Sequence, residues 1–179
     1  MVYCVFLAEG FEEIEALTQT DVLRRAGVDV KNVGVTGKYV AGSHGITVKA
    51  DMTLDSFDGE MPQGIILPGG IPGATNIERS SKAKEMIEKV FQSGGLVAAI
   101  CAAPGILGDM GLLKGRKATC YPGYEKKLIG ATVCTDKVVV DGNLVTSRGA
   151  GTAMDMALAL AEYITQKPQK ALASSMIYE

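Results

Sequence analysis

The thiol of Cys101 has the setting in this sequence that most favours chemistry. It stands in AAICAAPG (98–105), where the apolar run LVAAI (96–100) ends and small residues lead to Pro104. Small neighbours permit a sharp turn, as in the nucleophile elbow of hydrolases, and proline is favoured in the first turn of a helix. We therefore expect Cys101 near a helix N-terminus, whose partial positive charge favours a thiolate. A buried structural cysteine is the alternative that its position leaves open.

Three glutamates, Glu12, Glu13 and Glu15, stand at the start of a predicted helix, in EGFEEIEAL (9–17). One arc of that helix carries the apolar residues Ala16, Val22, Leu23 and Ala26. At about 100° per residue, Glu12 and Glu15 fall on this arc and Glu13 falls outside it. Burial would raise the pKa of Glu15, so that it could donate a hydrogen bond to a thiolate or relay a proton. Acids in a first turn also suit the helix dipole, which accounts well for Glu12 and Glu13.

Two glycine-containing turns follow predicted strands. In LPGGIPGA (67–74), the backbone N–H groups of Gly69 and Gly70 are candidates to stabilise a developing oxyanion. The turn SRGAGT (147–152) either binds an anion or caps the helix that follows it. We interpret Arg148, within that turn, as structural rather than anion-binding.

The remaining candidates have weaker signals. Tyr121 is expected to line the same pocket as Cys101, and its neighbour Cys120 falls in the same region without a defined role. Cys4 and Cys134 lie in apolar strands and are interpreted as structural. His44 lies in a predicted hairpin, away from the strand ends, and is not expected to be catalytic.

Composition limits the function classes. The chain has 179 residues, of which 47% are hydrophobic, enough for one domain with a core. A net charge of −2 argues against a broad nucleic-acid surface, and no apolar run is long enough to span a bilayer. Four cysteines without a CxxC pair and a single histidine make a zinc site improbable and fit a reducing cytosol. We interpret the apolar N-terminus as a strand and not as a signal peptide.

Apolar strands alternate with helical stretches along the chain. The pattern predicts strands at 2–8, 28–35 and 96–100, a strand followed by a turn at 64–70, a hairpin within 38–50, and two strands around Asp141-Gly142 within 131–146. It predicts helices at 12–26, 81–95, 103–112 and 150–165. This alternation predicts one doubly wound α/β domain over residues 1–179, with a mostly parallel sheet and helices on both faces. Such sheets bind ligands at the carboxyl ends of their strands, here 8–15, 68–74, 101–104, 120–123 and 147–152.

Four segments, GFEEIEAL, IILPGG, AAICAAP and TSRGAGT, together resemble the ThiJ/PfpI superfamily. The resemblance runs in order over about residues 3–165 and is nearest to the branch of the parkinsonism-associated protein deglycase and its bacterial relatives. It implies a flavodoxin-like α/β sandwich and, usually, a homodimer. AICAAP combined with the early EExE is the specific part of the match, whereas PGG adds little.

The resemblance also implies roles for individual residues. Cys101 matches the family's reactive, oxidation-prone cysteine. Glu15 matches the protonated glutamate that hydrogen-bonds this cysteine, and Glu12 matches a glutamate close to the dimer interface. The backbone donors around the thiol match Gly69, Gly70 and Ala102.

Two residues depart from the family pattern. Tyr121 stands where many members have a histidine near the thiol, so a Cys–His dyad of the protease kind is disfavoured. His44 stands where the human relative has an arginine at the dimer interface.

Two functions use the same thiol. By resemblance, one is a glyoxalase or deglycase that acts on small reactive dicarbonyls such as methylglyoxal without a cofactor or a metal. The other is a redox sensor or stress-protective protein that works through oxidation of Cys101. An amidase or protease is the least favoured alternative because the histidine is missing. The sequence alone does not separate the first two.

Overall fold

The computed structural model describes residues 1–57 and 61–178. The strands are Tyr3–Leu7 (β1), Val30–Gly34 (β2), Tyr39–Ala41 (β3), Thr47–Lys49 (β4), Met52–Thr53 (β5), Gly64–Leu67 (β6), Leu96–Ile100 (β7), Lys117–Ala118 (β8), Thr132–Val133 (β9), Val138–Asp141 (β10) and Leu144–Ser147 (β11). The α-helices are Glu13–Arg25 (α1), Gly73–Arg79 (α2), Ser81–Gln92 (α3), Pro104–Asp109 (α4), Ala153–Thr165 (α5) and Lys170–Ser175 (α6). Short 3-10 turns occupy Glu125–Lys127 and Ala150–Thr152.

A seven-stranded sheet forms the centre of the molecule, in the order β10-β11-β7-β6-β1-β2-β5. All of its neighbouring strands are parallel except β10 and β11, which form an antiparallel hairpin at one edge. Two small sheets, β3-β4 and β8-β9, lie outside it. The predicted flavodoxin-like α/β fold is confirmed.

Side chains of the central strands alternate between two cores. In β1, Cys4 and Phe6 face one core, while Val5 and Leu7 face the other, as the two-residue period of a strand requires. Both faces are covered by helices, which is why these strands are apolar without interruption.

The helices divide between the two faces of the sheet. Helices α1 and α5 pack together over one core, and α2, α3 and α4 cover the other. The longest described helices, α1 and α5, have 13 residues each. No helix in the described residues is long and apolar enough to cross a membrane.

Most predicted elements are present, with ends that differ by a few residues. The predicted helix 12–26 is Glu13–Arg25, and the hairpin predicted within 38–50 is β3-β4. The turn at Asp141-Gly142 joins β10 to β11, and Gly142 has φ +60°. The two-residue strands β5, β8 and β9 are too short to give a periodic signal and were not predicted as separate strands.

The carboxyl ends of β1, β6, β7 and β11 meet at one edge of the sheet. Backbone hydrogen bonds join the segments that follow these strands. The Glu12 N–H donates to the Gly69 oxygen at 3.0 Å, and the Cys101 N–H donates to the Ser147 oxygen at 3.1 Å. The predicted ligand-binding edge is therefore built from four adjacent strands.

Truncating a central strand should destabilise the protein far more than truncating the edge. Ile66 in β6 is completely buried, whereas Val140 in β10 is 51% exposed. We expect Ile66→Ala to lower the free energy of unfolding by about 2–5 kcal/mol, and Val140→Ala by less than about 1 kcal/mol. Urea unfolding of both variants tests this, and equal losses would contradict the position of β6 at the centre of the sheet.

Candidate active site

Cys101 occupies a strained turn between β7 and α4. Its φ of +65° lies in the left-handed region, which residues other than glycine rarely adopt. Its N–H donates to the Ser147 oxygen, and its carbonyl accepts a 2.9 Å hydrogen bond from the Tyr121 N–H. The peptide groups on both sides of the thiol are therefore fixed. Backbone strain of this kind is characteristic of functional sites.

Glu15 brings a buried carboxyl group to the thiol. Its residue is only 1% exposed, and its Oε2 accepts a 2.8 Å hydrogen bond from the Gly69 N–H. The carboxyl group is also hydrogen-bonded to the Cys101 side chain. Glu12 caps α1, because its Oε2 accepts a 2.7 Å hydrogen bond from the Glu15 N–H. The start of the helix is thereby fixed against the thiol.

Only glycine fits at positions 69 and 70, in the turn that packs against Glu15 and Cys101. A Cβ atom on Gly69 would lie 2.7 Å from both the Cys101 Cβ and the Glu15 Oε2. Gly70 has φ +84°, and a Cβ there would lie 2.5 Å from the Glu12 nitrogen. The PGG turn therefore permits close approach of the acid and the thiol.

The backbone donors differ in part from those expected. The N–H groups of Gly70 and Ala102 are directed at the Cys101 sulfur, where they favour negative charge. The Gly69 N–H is instead directed at Glu15, so it holds the acid and does not serve as a free oxyanion donor.

Burial dominates the electrostatics of both groups. Burial raises the pKa of Glu15 to about 7, with the nearby charge of Glu12 adding to the effect against hydrogen bonds that lower it. This is the direction that the sequence predicted. Burial, with the adjacent Glu15 carboxylate, raises the pKa of Cys101 to about 12. The expectation that a helix N-terminus lowers the pKa of this thiol is therefore wrong, since α4 begins three residues later and is only six residues long.

Glu15 and Cys101 titrate as a pair because they are hydrogen-bonded and buried together. The first proton leaves the pair near pH 7, and the second leaves only in strongly alkaline solution. In the singly ionised pair, the sulfur carries the charge when Glu15 keeps the proton. The Gly70 and Ala102 N–H groups stabilise that arrangement, but burial and the Glu15 carboxylate oppose it more strongly, so most of the charge rests on Glu15.

Tyr121 and Arg148 line a cavity next to the turn that holds Cys101. The cavity has a volume of about 420 Å³. Tyr121 is 49% exposed, and its ring meets that of Tyr124 edge-on with centroids 6.3 Å apart. The Arg148 Nη1 donates to the Thr135 oxygen at 3.3 Å. Tyr121 therefore lies against the Cys101 turn, and the Arg148 side chain is held by Thr135.

Glu13 is buried, contrary to the helical-arc prediction. Its residue is 4% exposed, and its carboxylate accepts hydrogen bonds from the His44 N–H at 2.7 Å and the Ser43 Oγ at 3.3 Å, with the His44 Nδ1 at 2.8 Å. Although burial acts to raise it, these bonds hold the pKa of Glu13 at about 2. The hydrogen bond with Glu13 raises the pKa of His44. His44 therefore attaches the β3-β4 hairpin to the start of α1.

A group of three possible metal ligands is found here among the described residues. Atoms of Glu12, Glu13 and His44 lie within 4.8 Å of one another. The Glu13 oxygens accept hydrogen bonds from the hairpin, and a Glu12 oxygen caps α1. These hydrogen bonds explain why the three residues lie together, as a contact between the β3-β4 hairpin and the start of α1.

The other cysteines lack the setting of Cys101. Burial raises the pKa of Cys4 to about 12 and that of Cys120 to about 11. Cys134 is partly exposed at the end of β9, and its sulfur contacts the Thr132 oxygen at 3.7 Å. Cys101 alone among the four stands beside a buried acid.

The combination of an elbow cysteine, a buried glutamate and a glycine turn agrees with a comparison of the whole chain. The sequence profile of the DJ-1/PfpI family matches residues 2–163. The chain belongs to this family. The resemblance stated from the four motifs is thus confirmed, and ThiJ/PfpI and DJ-1/PfpI denote the same family.

Individual relatives support the assignment. DJ-1 homolog B of Arabidopsis thaliana is 41% identical over 90% of this chain, and a deglycase of Pyrococcus horikoshii is 37% identical over 79% of this chain and 86% of its own length. The chain spans only 37% and 45% of the two Arabidopsis relatives that it matches. The crystal structure of a mutant DJ-1 superfamily protein from Salmonella typhimurium matches with a TM-score of 0.95 and 31% identity, over 99% of this chain and 98% of the other.

Replacing Glu15 should change how stability depends on pH. Its folded pKa of about 7 lies above the unfolded value of 4.5, so the folded protein binds more protons between these values and loses stability as pH rises through them. We expect Glu15→Gln to remove this loss, so that the stability of the variant relative to the parent rises by roughly 3 kcal/mol between pH 4 and pH 8.

Urea unfolding of both proteins from pH 4 to pH 8 measures this difference. Glu88→Gln is the control, because Glu88 is exposed on α3 and should give no comparable slope. If the difference in the free energy of unfolding between Glu15→Gln and the parent does not change with pH, the Glu15 carboxyl group is not desolvated.

Proposed function

We propose that this chain is a cysteine-dependent enzyme of the glyoxalase and deglycase type. Its substrates are reactive dicarbonyls such as methylglyoxal, or the adducts that they form with thiols and amines, and no cofactor takes part. The observation that carries the proposal is the hydrogen-bonded pair of Cys101 and buried Glu15, with Gly70 and Ala102 N–H groups at the sulfur. Membership of a family that includes a relative named deglycase supports the same class.

The first step is addition of the Cys101 thiolate to the aldehyde carbon of methylglyoxal. The sulfur–carbon bond forms as the carbonyl π bond breaks, and the oxygen takes up a proton, giving a hemithioacetal. The Glu15 carboxylic acid is the adjacent proton source. Its pKa of about 7 allows it to give and recover a proton near neutral pH.

The second step moves hydrogen between the two substrate carbons. The Glu15 carboxylate, formed in the first step, removes the proton from the former aldehyde carbon, and the resulting enediol is protonated on the neighbouring carbon. The aldehyde carbon is thereby oxidised to a thioester while the ketone carbon is reduced to an alcohol. Water then hydrolyses the thioester to lactate and restores the Cys101 thiol, so no external oxidant or reductant is needed.

Removal of either member of the pair should abolish turnover. We expect Cys101→Ser to reduce lactate formation from methylglyoxal to the background rate, and Glu15→Gln to reduce kcat by about 10²–10⁴-fold. In the parent, the rate should rise with pH as the pair loses its first proton near pH 7, and Glu15→Gln should shift this rise to higher pH because the thiol must then ionise without its acid partner.

The control is Cys134→Ser, which removes a partly exposed thiol outside the site and should keep the parent rate. Lactate is measured enzymatically, with the alkylation rate of Cys101 measured over the same pH range. Undiminished turnover by Cys101→Ser would refute the proposed function.

A second candidate is redox sensing through Cys101. Cys101 is partly exposed, and the Gly70 and Ala102 N–H groups and the Glu15 carboxyl group that interact with its sulfur could hydrogen-bond oxygen atoms added to it. Reaction of the thiolate with one hydrogen peroxide gives the sulfenate and water, and a second hydrogen peroxide gives the sulfinate and water.

Mild peroxide should oxidise Cys101 before the buried thiols of Cys4 and Cys120. We expect peptide mass spectrometry to find two added oxygen atoms on Cys101 in the parent and fewer in Glu15→Gln, because the sulfinate loses a hydrogen-bond partner. Cys101→Ala should leave the remaining thiols unmodified under the same conditions. Oxidation of Cys134 ahead of Cys101 would exclude the sensing role.

A further inference from the structure

The cavity beside Tyr121 is lined by positively charged side chains that have no role in the proposed mechanism. Its walls are formed by Tyr121, Pro122, Lys137, Arg148 and the segment 149–152. Two of these side chains are cationic, and within the described part of the chain no carboxylate lines the cavity. A small concave site whose charged side chains are all positive attracts anions.

Two residues that line this cavity lie against the segments that carry the reacting groups. The Tyr121 N–H donates to the Cys101 carbonyl at 2.9 Å, which places the aromatic wall directly beside the elbow. A Cβ atom on Gly149 would lie 3.3 Å from the Tyr121 ring and 4.0 Å from the Glu15 Oε1. The walls of the cavity therefore include Tyr121, which is bonded to the Cys101 turn, and Gly149, whose backbone approaches the Glu15 carboxyl group.

The two cations retain unused hydrogen-bonding capacity. Arg148 donates from Nη1 to the Thr135 oxygen at 3.3 Å, and a guanidinium group carries five N–H donors. No carboxylate in the described residues lies within ion-pairing distance of Arg148. Lys137 has a 3.4 Å contact with Asp155, with a side chain that is 69% exposed.

Asp155 offsets part of the Lys137 charge, since the two groups lie 3.4 Å apart, whereas no carboxylate in the described residues is paired with Arg148. The Gly123 N–H and, less strongly, Arg148 lower the pKa of Glu125, which lies outside the cavity wall. Glu12 and Glu15, on the other side of the sulfur, would repel an anionic reagent. A preference for anions at Cys101 would therefore have to come from Arg148 and Lys137.

We infer that this cavity binds an anionic oxygen group, a carboxylate or a phosphate, at the far end of the substrate whose carbonyl carbon reacts with Cys101. The inference rests on the proposed function for the identity of the reacting carbon. It narrows the substrate class to α-oxoaldehydes that carry a terminal anion. The Tyr121 ring provides an apolar surface for the carbon chain, and Arg148 acts as the residue that determines specificity.

Two alkylating agents test the charge preference independently of turnover. Iodoacetate is an anion and iodoacetamide is its neutral counterpart, and both react with the thiolate. Their rate ratio at Cys101 therefore does not depend on the fraction of thiolate. Division by the same ratio for free cysteine isolates the effect of the cavity.

We expect the normalised ratio of iodoacetate to iodoacetamide to exceed one by about tenfold at low salt and to fall as salt screens the cations. Arg148→Gln should remove most of this preference and Lys137→Gln a smaller part. Arg79→Gln, which removes an exposed cation on α2, is the matched control and should keep it. A normalised ratio at or below one in the parent, or an unchanged ratio in Arg148→Gln, overturns the inference.

Competition identifies the anion. Protection of Cys101 against iodoacetate by inorganic phosphate assigns a phosphate-bearing substrate, and protection by propionate assigns a carboxylate. Protection by neither at matched ionic strength overturns the inference.

Turnover then separates this inference from the proposed function. The substrates compared are 4,5-dioxopentanoate, which carries a carboxylate, and the neutral 2-oxopentanal of the same chain length. We expect kcat/KM to favour the anionic substrate in the parent and the preference to fall about tenfold in Arg148→Gln, mainly through KM. Turnover of both substrates without preference refutes the anion site alone. Anion-selective alkylation without turnover of either refutes the proposed function and leaves the anion site supported.

Discussion

The hydrogen bond from the Gly69 N–H to the Glu15 carboxyl joins the end of a central strand to the first helix, and the geometry of the site depends on it. It holds an acid that is 1% exposed within hydrogen-bonding range of the Cys101 sulfur. Burial then raises the pKa of that acid to about 7, so a proton is available beside the thiol near neutrality. Glycine is required at position 69, because a side chain there would separate the two groups.

The sheet explains why these groups meet at all. Cys101 follows β7, the glycine turn follows β6, and the helix bearing Glu15 follows β1, three neighbouring parallel strands. Residues that are about 30 and 50 positions apart in the chain therefore arrive at one edge. The antiparallel strand β10 pairs with the outer side of β11. Strand β11, whose Ser147 oxygen accepts the hydrogen bond from the Cys101 N–H, is therefore not an edge strand.

The features that could be predicted from the sequence have local causes. Uninterrupted apolar runs identified the central strands, because both faces of the sheet are covered. Small residues followed by Pro104 identified the turn at Cys101, and the position of Glu15 on the apolar arc of α1 indicated its burial and the direction of its pKa shift. The features that could not be predicted depend on contacts between distant residues. Glu13 and His44 are 31 positions apart, and a helical arc contains no information about a hairpin that packs against the start of the helix.

The pKa of Cys101 illustrates the same limit. Its place before a helix predicted an acidic thiol, but this prediction took account of the backbone alone. Burial and the neighbouring Glu15 carboxylate have the larger effect, and both become visible only when the three strand ends are assembled. The helix that follows is also too short and too distant to counter them.

The backbone around Cys101 also fixes where a reacting carbon must be placed. Its amide and carbonyl groups are both hydrogen-bonded within the fold, to Ser147 and Tyr121, and its backbone has the left-handed conformation. The turn therefore cannot move outward to meet a reactant, and the reactant has to bring its carbon to a fixed position. In a modified macromolecule, a reactive carbon at the end of an extended side chain meets that requirement.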